Sequence, residues 1–537
     1  MEKQRPFSTC KCIAMLSLFL LASFFIVPQT WGLNYQLNPD ISLDLDTTLI
    51  YGASMRMKDA NEKNLGLNWD DGNRSFEQYD LVSNRFTVRS ALDLRRKNVG
   101  VFARGRAFYD DAYHGSNAND SPETHNNGPL VGGPLTDHQE FTDAAEDQHG
   151  QDLELLDLYG YVDFSIAGRP LSLRVGQQVV SWGESLFTLG GISTAQGYAD
   201  ANMLNVPGAE LVDIFLPSEQ VSGRFNFLGN LSIAGYYQWE WKKHRSEAAG
   251  SYFSTMDFAD EGGYNLLAAA GVPITADRID DDPASDSGQW GVSLNYYAEN
   301  LNSTEFGLYY LNYHEKFPLV VTAPGAGDLT RDDWGNPTYN FFDSLGYYLA
   351  YQEDIDLYGA SFSTQLGPTN VSGEVTYRAD YATQVVDPTA VPFGFSYEPF
   401  DIVQALASAI HIFGPFAFVD TTSLMFEVGM NEVLDAKNLY RDQFAWGSTT
   451  SLKFSFFQVL PQLDMNVPVS FKHRPNGYSS LPGTFIEDQH QVSVGTDFIF
   501  RQKYEFGLKY TDFLGSAGDE DLKSDRDYLA FSFKYTF

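Results

Sequence analysis

The nine residues that end the sequence, LAFSFKYTF at 529–537, alternate large apolar side chains with small or polar ones. Successive side chains of a β-strand point to opposite faces, so this segment predicts a strand with one apolar and one polar face. The apolar face carries Leu529, Phe531, Phe533, Tyr535 and Phe537, and the polar face carries Ala530, Ser532, Lys534 and Thr536. Such a strand is typical of an outer-membrane β-barrel, and an edge strand of a soluble sandwich is the alternative.

Alternating segments recur along the chain from residue 41 onward. There are eighteen, at 41–57, 82–95, 99–112, 152–166, 170–182, 219–228, 230–243, 287–298, 302–317, 344–366 in part, 368–383, 402–413, 417–433, 443–457, 463–474, 488–501, 503–514 and 526–537. Every short gap follows an even-numbered segment, and the long gaps are rich in Asp, Asn, Gly and Pro, as expected when turns and loops lie on opposite sides of a membrane. We therefore predict an all-β fold, a transmembrane antiparallel barrel of about eighteen strands. Sixteen strands are the alternative, because the pattern near 227–231 and 341–355 is ambiguous.

The N-terminus has the pattern of a secretory signal peptide. Lys3, Arg5 and Lys11 precede an apolar run at 13–27, and small residues follow up to Gly32. This predicts a cleaved segment at 1–32 and a single barrel domain at 33–537. Both cysteines fall within the cleaved segment, at positions 10 and 12, so the mature chain has no thiol. A disulfide scaffold is therefore excluded, and passage through an oxidising periplasm is favoured.

The net charge of the chain restricts the classes of partner that it can bind. The formal net charge is −35. Removing a leader that carries three cations and one anion leaves −37, which argues against nucleic acid as a partner. Disorder is the usual meaning of such an acidic excess, but 41 Phe, 31 Tyr and 8 Trp are too many aromatic residues for it. We expect the outer membrane of a Gram-negative bacterium, with lipid and lipopolysaccharide as neighbours.

Charged side chains fall on the polar face of the early strands. In a barrel that face lines the lumen, where opposed charges create a transverse field that selects solutes. Simple pairing that fills a wide lumen is the alternative. The predicted luminal residues are Arg85, Arg89, Asp93, Arg104, Arg106, Asp110, Asp163, Arg174 and Glu240.

One long gap, at 183–218, is unusually apolar for an external loop. Because such a loop exposes too much apolar surface to water, we predict that it folds into the lumen as a plug or constriction. Packing against neighbouring loops or another subunit is the alternative. The residues singled out in and beside it are Trp182, Gly183, Glu184, Ser185, Phe187, Pro207, Gly208, Glu210 and Phe215.

Sequence motifs for catalysis are scarce. The chain has no GxxxxGK[ST], HExxH or GxSxG pattern, and Ser185 beside Glu184 has no identifiable base, so we predict no enzyme, no metal centre and no cofactor. Acidic clusters at 70–71, 280–282, 332–333 and 519–521 offer oxygen ligands for loop-bound calcium, although none has the spacing of a defined calcium loop. A solvated acidic surface is the simpler interpretation.

Several stretches resemble a proteobacterial family of outer-membrane proteins catalogued as a domain of unknown function. They include LRVGQQVVSWGES at 173–185, VPGAE at 206–210, YYQWE at 236–240, GSYFSTMD at 250–257, DDGNR at 70–74 and HIFGP at 411–415. The resemblance implies a barrel encoded beside a periplasmic lipoprotein-like carrier and an inner-membrane transporter of the resistance-nodulation-division type. It also implies uptake of alkanes or other hydrophobic compounds, and it supplies no functional residues.

These observations lead to a functional expectation. We predict a channel that passes hydrophobic or amphipathic organic compounds across the outer membrane. A general or cation-preferring porin and a structural or surface-interaction barrel are the alternatives. The expected partners are lipopolysaccharide, the periplasmic carrier, the inner-membrane transporter, and the barrel-assembly machinery through the strand that ends at Phe537.

Overall fold

The computed structural model describes residues 33–267, 270, 275–324, 330–331, 337–338, 345–386, 395–518 and 521–537. Eighteen strands form a closed sheet in which each strand pairs antiparallel with the next, and the last pairs with the first. In chain order, β1 to β18 are Ile41–Arg56, Leu81–Arg96, Val99–Asp110, Gln151–Ile166, Arg169–Gln178, Ser218–Leu228, Leu231–Gln238, Trp290–Ala298, Thr304–Tyr313, Ile355–Leu366, Thr369–Val385, Ser396–Phe413, Thr421–Val433, Phe444–Leu460, Leu463–Asn476, Gln491–Phe500, Tyr504–Phe513 and Tyr528–Thr536. The predicted eighteen-stranded antiparallel barrel is confirmed. The predicted signal peptide lies outside the described residues.

The two faces of the barrel wall differ as the alternation predicts. On β18, Phe531 is 39% exposed on the outer face, whereas Ala530 is buried on the inner face. The same alternation places Val375 of β11 outward and its neighbours Glu374 and Thr376 inward. An apolar outer face and a polar inner face allow a barrel to satisfy every backbone group while contacting lipid.

Connections alternate in length around the barrel. Turns of a few residues follow the even-numbered strands, and loops of ten or more residues follow the odd-numbered strands. An N-terminal strand, Leu33–Asn38, pairs with the start of β1 at the short-turn end. None of the helices among the described residues is long and apolar enough to span a membrane.

The long loops carry the remaining secondary structure. Four short strands form a small sheet in the order Asn265–Leu267, Thr275–Arg278, Leu345–Ala350 and Leu319–Pro324. Two-residue strands pair Tyr198–Ala199 with Phe215–Leu216, and Thr330–Arg331 with Pro337–Thr338. Short helical turns occur at Glu62–Asn64, Asp71–Arg74, Asp111–Tyr113, Pro129–Val131, Asp143–Ala145, Glu146–Gly150, Ile192–Gln196, Ala201–Leu204 and Leu211–Ile214.

The long loops pack together into a cap with its own core. One cluster brings Phe76, Phe141 and Tyr252 from three different loops into contact, with the Phe76 and Tyr252 rings 5.6 Å apart. Edge-to-face aromatic packing of this kind adds to the free energy gained by burying the rings. These three loops are therefore folded onto one another.

Three strands end at least four residues earlier than their sequence patterns predict: β5 at Gln178, β7 at Gln238 and β9 at Tyr313. The alternation continues to residue 243, but β7 ends at Gln238. Beyond this end, the Trp241 ring packs edge-to-face against Tyr351 of the cap at 4.7 Å. Glu240, predicted as a luminal strand residue, therefore lies in the β7–β8 loop and forms an ion pair with Lys242 at 2.8 Å.

Candidate functional site

The β5–β6 loop, residues 179–217, contacts inward-facing residues around most of the barrel wall. Its contacts fall on strands β1 to β4, β7, β9 to β13 and β18. They are made by loop carboxylates, backbone N–H and carbonyl groups, and apolar side chains. The following paragraphs describe these contacts from one side of the barrel to the other.

Glu427 of β13 holds the start of the loop. Its side chain is buried, with 1% exposure, and points into the barrel. Its two carboxylate oxygens accept the backbone N–H groups of three consecutive loop residues, Leu186, Phe187 and Thr188, at 2.6, 3.1 and 2.6 Å. Hydrogen bonds to an ionised acceptor are about twice as strong as neutral ones, so a single wall residue fixes this stretch of backbone.

Glu374 of β11 holds the next turn in the same way. It accepts the backbone N–H groups of Glu184 and Ile192, each at 2.8 Å. A Cβ at Gly183 would lie 2.2 Å from the Glu374 carboxylate, and the Gly183 φ of +91° favours glycine, so the turn fits closely against this wall residue. Burial, with Glu305 and Glu374 nearby, raises the pKa of Glu184 to about 7.

On the opposite side of the barrel, arginines hold the other end of the loop. Arg89 of β2 donates to Glu210 at 2.5 Å and to Asp213 at 2.6 Å. Arg106 of β3 donates to the Asp213 carbonyl at 3.2 Å, and Lys534 of β18 forms an ion pair with Glu210 at 3.0 Å. Two loop carboxylates thus engage three wall cations, and charge-assisted bonds of this kind are the strong ones.

Backbone contact accompanies these ion pairs. A Cβ at Gly52 of β1 would lie 2.7 Å from the Pro207 carbonyl oxygen, and one at Gly208 would lie 2.7 Å from the Ile50 side chain. The loop backbone therefore approaches β1 as closely as only glycine permits. Phe215 is placed by the short pairing of Phe215–Leu216 with Tyr198–Ala199.

At the end held by Glu374 and Glu427, the loop also covers an apolar part of the wall. Ile192 is fully buried and belongs to one cluster with inward-facing tyrosines and aliphatic residues of β7, β9 and β10. The Trp182 ring packs against Tyr236 at 5.2 Å and against Tyr309 at 6.1 Å. The wall residues of this cluster on these strands are Tyr236, Tyr309, Leu311, Tyr313, Ile355 and Leu357.

A β-bulge adds an apolar contact on the other side. The β3–β4 register shifts between Arg104 and Gly105, so that Leu156 of β4 is left without a partner residue. Leu156 is 1% exposed and packs against Tyr198 and Leu216 of the loop. A bulge changes the direction of the side chains beside it. This bulge turns Leu156 toward the interior of the barrel, on a strand whose neighbouring inward-facing side chains are carboxylates.

The remaining predicted luminal charges fall into two groups. Near the cap, Arg85 is buried with its guanidinium 3.3 Å from the centre of the Phe108 ring, and Asp110 accepts from Ser83 at 2.7 Å. Toward the short turns, the side chains are more accessible and pair locally. These pairs are Asp93 with Tyr161 at 2.7 Å, Arg104 with Asp157 at 3.2 Å, Asp163 with Ser172 at 2.6 Å, and Arg174 over the Tyr159 ring at 5.3 Å.

The other predicted loop residues do not form a catalytic arrangement. Ser185 donates to the Thr188 carbonyl oxygen at 2.5 Å and so completes the turn beside Glu427. The exposed apolar side chains of the loop are Leu186, Phe187, Leu204 and Leu211. They leave apolar surface accessible next to the covered wall.

One sequence interpretation is wrong. The Asp70–Asp71 cluster was expected to be solvated, but both side chains are fully buried because the β3–β4 and β7–β8 loops cover them. Asp521 of the cluster at 519–521 is likewise fully buried. The acidic residues at 332–333 and 519–520 lie outside the described residues.

Sequence reasoning did not single out Glu427 or Leu156 as site residues. Glu427 could have been found as an isolated carboxylate on the inward side of a strand whose neighbouring positions are small or apolar. No feature of the sequence marks Leu156 as a residue that contacts the loop. A bulge depends on the register of two paired strands, whereas strand alternation considers one strand at a time.

Residues 13–537 match the family described as a protein of unknown function (DUF1302). No curated protein is significantly similar to the chain in sequence. Among solved structures, Acinetobacter baumannii OccAB2 is similar with 10% identity over 92% of this chain and 98% of its own, at a TM-score of 0.42. Pseudomonas aeruginosa OpdK with vanillate aligns at 10% identity, with the same coverages and a TM-score of 0.40. Salmonella typhi OmpF in complex with daunomycin aligns at 9% identity over 92% and 98% of the two chains, with a TM-score of 0.36.

Proposed function

The chain belongs to the DUF1302 family of proteins of unknown function, and we propose that it is an outer-membrane channel that passes hydrophobic or amphipathic organic compounds. The observation that carries this proposal is the apolar and tyrosine-rich inner wall beneath the β5–β6 loop. A barrel that only passes hydrophilic solutes has no physical need for such a surface, because water and ions gain nothing from it.

The inner wall is suited to a ligand with two kinds of surface. Strands β7, β9 and β10 present tyrosines and aliphatic side chains, whereas β2 and β3 present Arg89 and Arg106. An apolar chain would gain about 25 cal/mol for each Å² that it buries on the first side. A polar head group would find guanidinium donors on the second side.

The β5–β6 loop acts as the gate in this proposal. It occupies the apolar wall through Trp182 and Ile192, so a ligand that binds there must displace it. Movement of this part opens the hydrogen bonds from the Glu184 and Ile192 N–H groups to Glu374. The ion pairs of Glu210 and Asp213 keep the other end of the loop attached. Ligand then leaves at the short-turn end, toward a periplasmic carrier and an inner-membrane transporter.

The decisive experiment compares the intact protein with a variant lacking residues 186–215. Each is refolded, checked for the heat-dependent electrophoretic shift of a closed barrel, and studied by single-channel conductance and by uptake of radiolabelled hexadecane into proteoliposomes. We expect the intact protein to be silent and to take up hexadecane, and the deletion to conduct steadily and lose selectivity for the hydrocarbon. An unchanged uptake in a correctly folded deletion variant would overturn the proposal.

A general porin is the second candidate, and one observation favours it. Arg104, Asp163 and Arg174 lie on the more accessible half of the inner wall, where they could select ions. This candidate expects a steady, salt-dependent current from the intact protein and altered ion selectivity in Arg174→Gln. The Arg174→Gln variant has no effect on hexadecane uptake if the first proposal holds.

A further inference from the structure

Three aspartates from two distant parts of the chain meet inside the cap. Asp70 and Asp71 belong to the β1–β2 loop and Asp257 to the β7–β8 loop, and all three side chains are fully buried. One carboxylate oxygen of each lies within 4.8 Å of those of the other two. This cluster plays no part in the channel proposed above.

Two of these buried carboxylates have an oxygen without a hydrogen-bond partner. Asp70 Oδ1 and Asp257 Oδ1 are both buried and unpartnered among the described residues. A third such oxygen, Asn126 Oδ1, belongs to the residue whose backbone N–H reaches Asp71 Oδ2 at 3.3 Å. Leaving an ionised oxygen buried and unsatisfied costs several kcal/mol, so native proteins supply a proton, a cation or a metal.

Among the described residues, one arginine and no lysine forms an ion pair with the three carboxylates. Arg74 donates to Asp70 Oδ2 at 2.6 Å, and the buried Arg526 forms its ion pair with Asp525 at 3.6 Å. His125 Nδ1 lies 3.3 Å from Asp71, but it accepts the Asn127 N–H at 3.2 Å and so presents a lone pair.

We propose that Asp70, Asp71 and Asp257 bind one calcium ion. Ca²⁺ takes carboxylate and carbonyl oxygens at 2.3–2.6 Å, so two of its ligand atoms lie at most about 5 Å apart, as these oxygens do. The all-oxygen set disfavours Zn²⁺, which prefers nitrogen and sulfur ligands. The irregular loop geometry disfavours Mg²⁺, which demands a near-ideal octahedron and keeps its water.

The cluster is supported by backbone that only glycine allows. A Cβ at Gly72 would lie 2.2 Å from the Ser251 carbonyl oxygen, so the 70–74 turn and the 250–257 segment are in direct contact. Asp71 N–H also donates to Asp257 Oδ2 at 3.1 Å. A bound ion would therefore join the β1–β2 and β7–β8 loops, with the β3–β4 loop attached through Asn126.

Binding of Ca²⁺ alone to the folded, EDTA-treated protein in detergent tests this proposal. Isothermal titration and the apparent unfolding temperature are measured for the wild type, Asp71→Asn, Asp257→Asn and Asp280→Asn. Asp280 is the matched control, because it is an exposed aspartate of the same β7–β8 loop. We expect one Ca²⁺ per chain, a raised unfolding temperature, and at least a tenfold loss of affinity in Asp71→Asn and Asp257→Asn only.

The alternative is that the carboxylates share protons and bind no metal. In that case Asp257→Asn stabilises the metal-free protein and Ca²⁺ has no effect on any variant, which would overturn the proposal. Equal Ca²⁺ binding by Asp257→Asn and Asp280→Asn would also overturn it. Because Asn preserves the shape of Asp, folding of each variant is checked by the electrophoretic shift, and Asp71→Asn provides a second, independent test.

Discussion

Single buried carboxylates on the barrel wall determine where a long loop lies. Glu427 accepts hydrogen bonds from three backbone N–H groups of a loop segment that belongs to no strand or helix. A buried backbone donor without a partner is costly, so the loop and the glutamate depend on each other. This dependence makes the role of Glu427 testable by a nearly isosteric change.

We expect Glu427→Gln to loosen the β5–β6 loop. An amide has one acceptor oxygen where the carboxylate has two charged ones, so the change should weaken the attachment by about 1–3 kcal/mol. Single-channel recordings should show openings at least several-fold more frequent than in the wild type. Glu432→Gln, an exposed position on the same strand, is the control, and equal opening frequencies in the two variants would contradict the role of Glu427.

The cap should lose stability as the pH rises toward 8. Burial raises the pKa of Glu247 to about 7, and its neighbour His149, 3.6 Å away, stays neutral because burial lowers its pKa to about 3. Ser251 donates to Glu247, and Lys523, Asp200 and Arg526 act on it electrostatically. Between pH 4.5 and 7, the folded state therefore keeps a proton on Glu247 that the unfolded state has already lost. The resulting stabilisation is fully present below pH 4.5 and is lost as the pH rises through 7.

Glu247→Gln should reduce this loss. A difference of this size between folded and unfolded pKa corresponds to about 3 kcal/mol. The free energy of unfolding should fall less between pH 5 and pH 8 in Glu247→Gln than in the wild type, measured by denaturant titration in detergent with EDTA. Glu261→Gln, a more exposed position that pairs with Lys243, should retain the wild-type pH dependence. The same slope in all three proteins would contradict the assignment.

Residue roles could be predicted only in part. Strand alternation predicts Arg89 and Arg106 on the inner face, and both contact the β5–β6 loop. Their partners Glu210 and Asp213 could not be assigned, since the ion pairs span more than 100 residues of sequence. Strand alternation predicts the face on which a side chain lies, but it does not predict which residue of a distant loop contacts that side chain.

At the scale of elements, the strands were predictable and their irregularities were not. Each predicted strand overlaps an observed one, because one side must contact lipid and the other must not. The early end of β7 is followed by the contact of Trp241 with the cap, and the bulge in β4 places Leu156 against the β5–β6 loop. Contacts with loops leave no periodic signal in the sequence. The bulge offers a test of how much the loop depends on the wall.

Leu156→Ser should destabilise the packing of the Tyr198–Ala199 and Phe215–Leu216 strands. Truncating a fully buried leucine and adding a hydroxyl costs about 2–5 kcal/mol. We expect faster proteolysis within the β5–β6 loop of the folded barrel. Leu153→Ser is the control, because Leu153 is 83% exposed on the same strand. Equal cleavage rates in the two variants would show that the bulge does not support the loop.

At the scale of the whole molecule, the barrel was predictable and the cap was not. Eighteen alternating segments with turns and loops in strict alternation allow few other arrangements. The cap combines residues of several loops, such as Phe76, Phe141 and Tyr252, and no local pattern marks which loops will meet. The cluster of Asp70, Asp71 and Asp257 could not be predicted for the same reason, since Asp71 and Asp257 are 186 residues apart.

The closure of β18 onto β1 has a consequence for the order of assembly. Thr48 and Thr536 pair across 488 residues, and Thr47 exchanges two backbone hydrogen bonds of 2.9 Å with Phe537. Until both strands are present, the growing sheet has two open edges, and open edges invite pairing with other chains. The seam must therefore form late, after the intervening strands exist, and the chain depends on protection from aggregation throughout that interval. The pairing of the first and last strands thus determines when the sheet no longer has open edges at which other chains can aggregate.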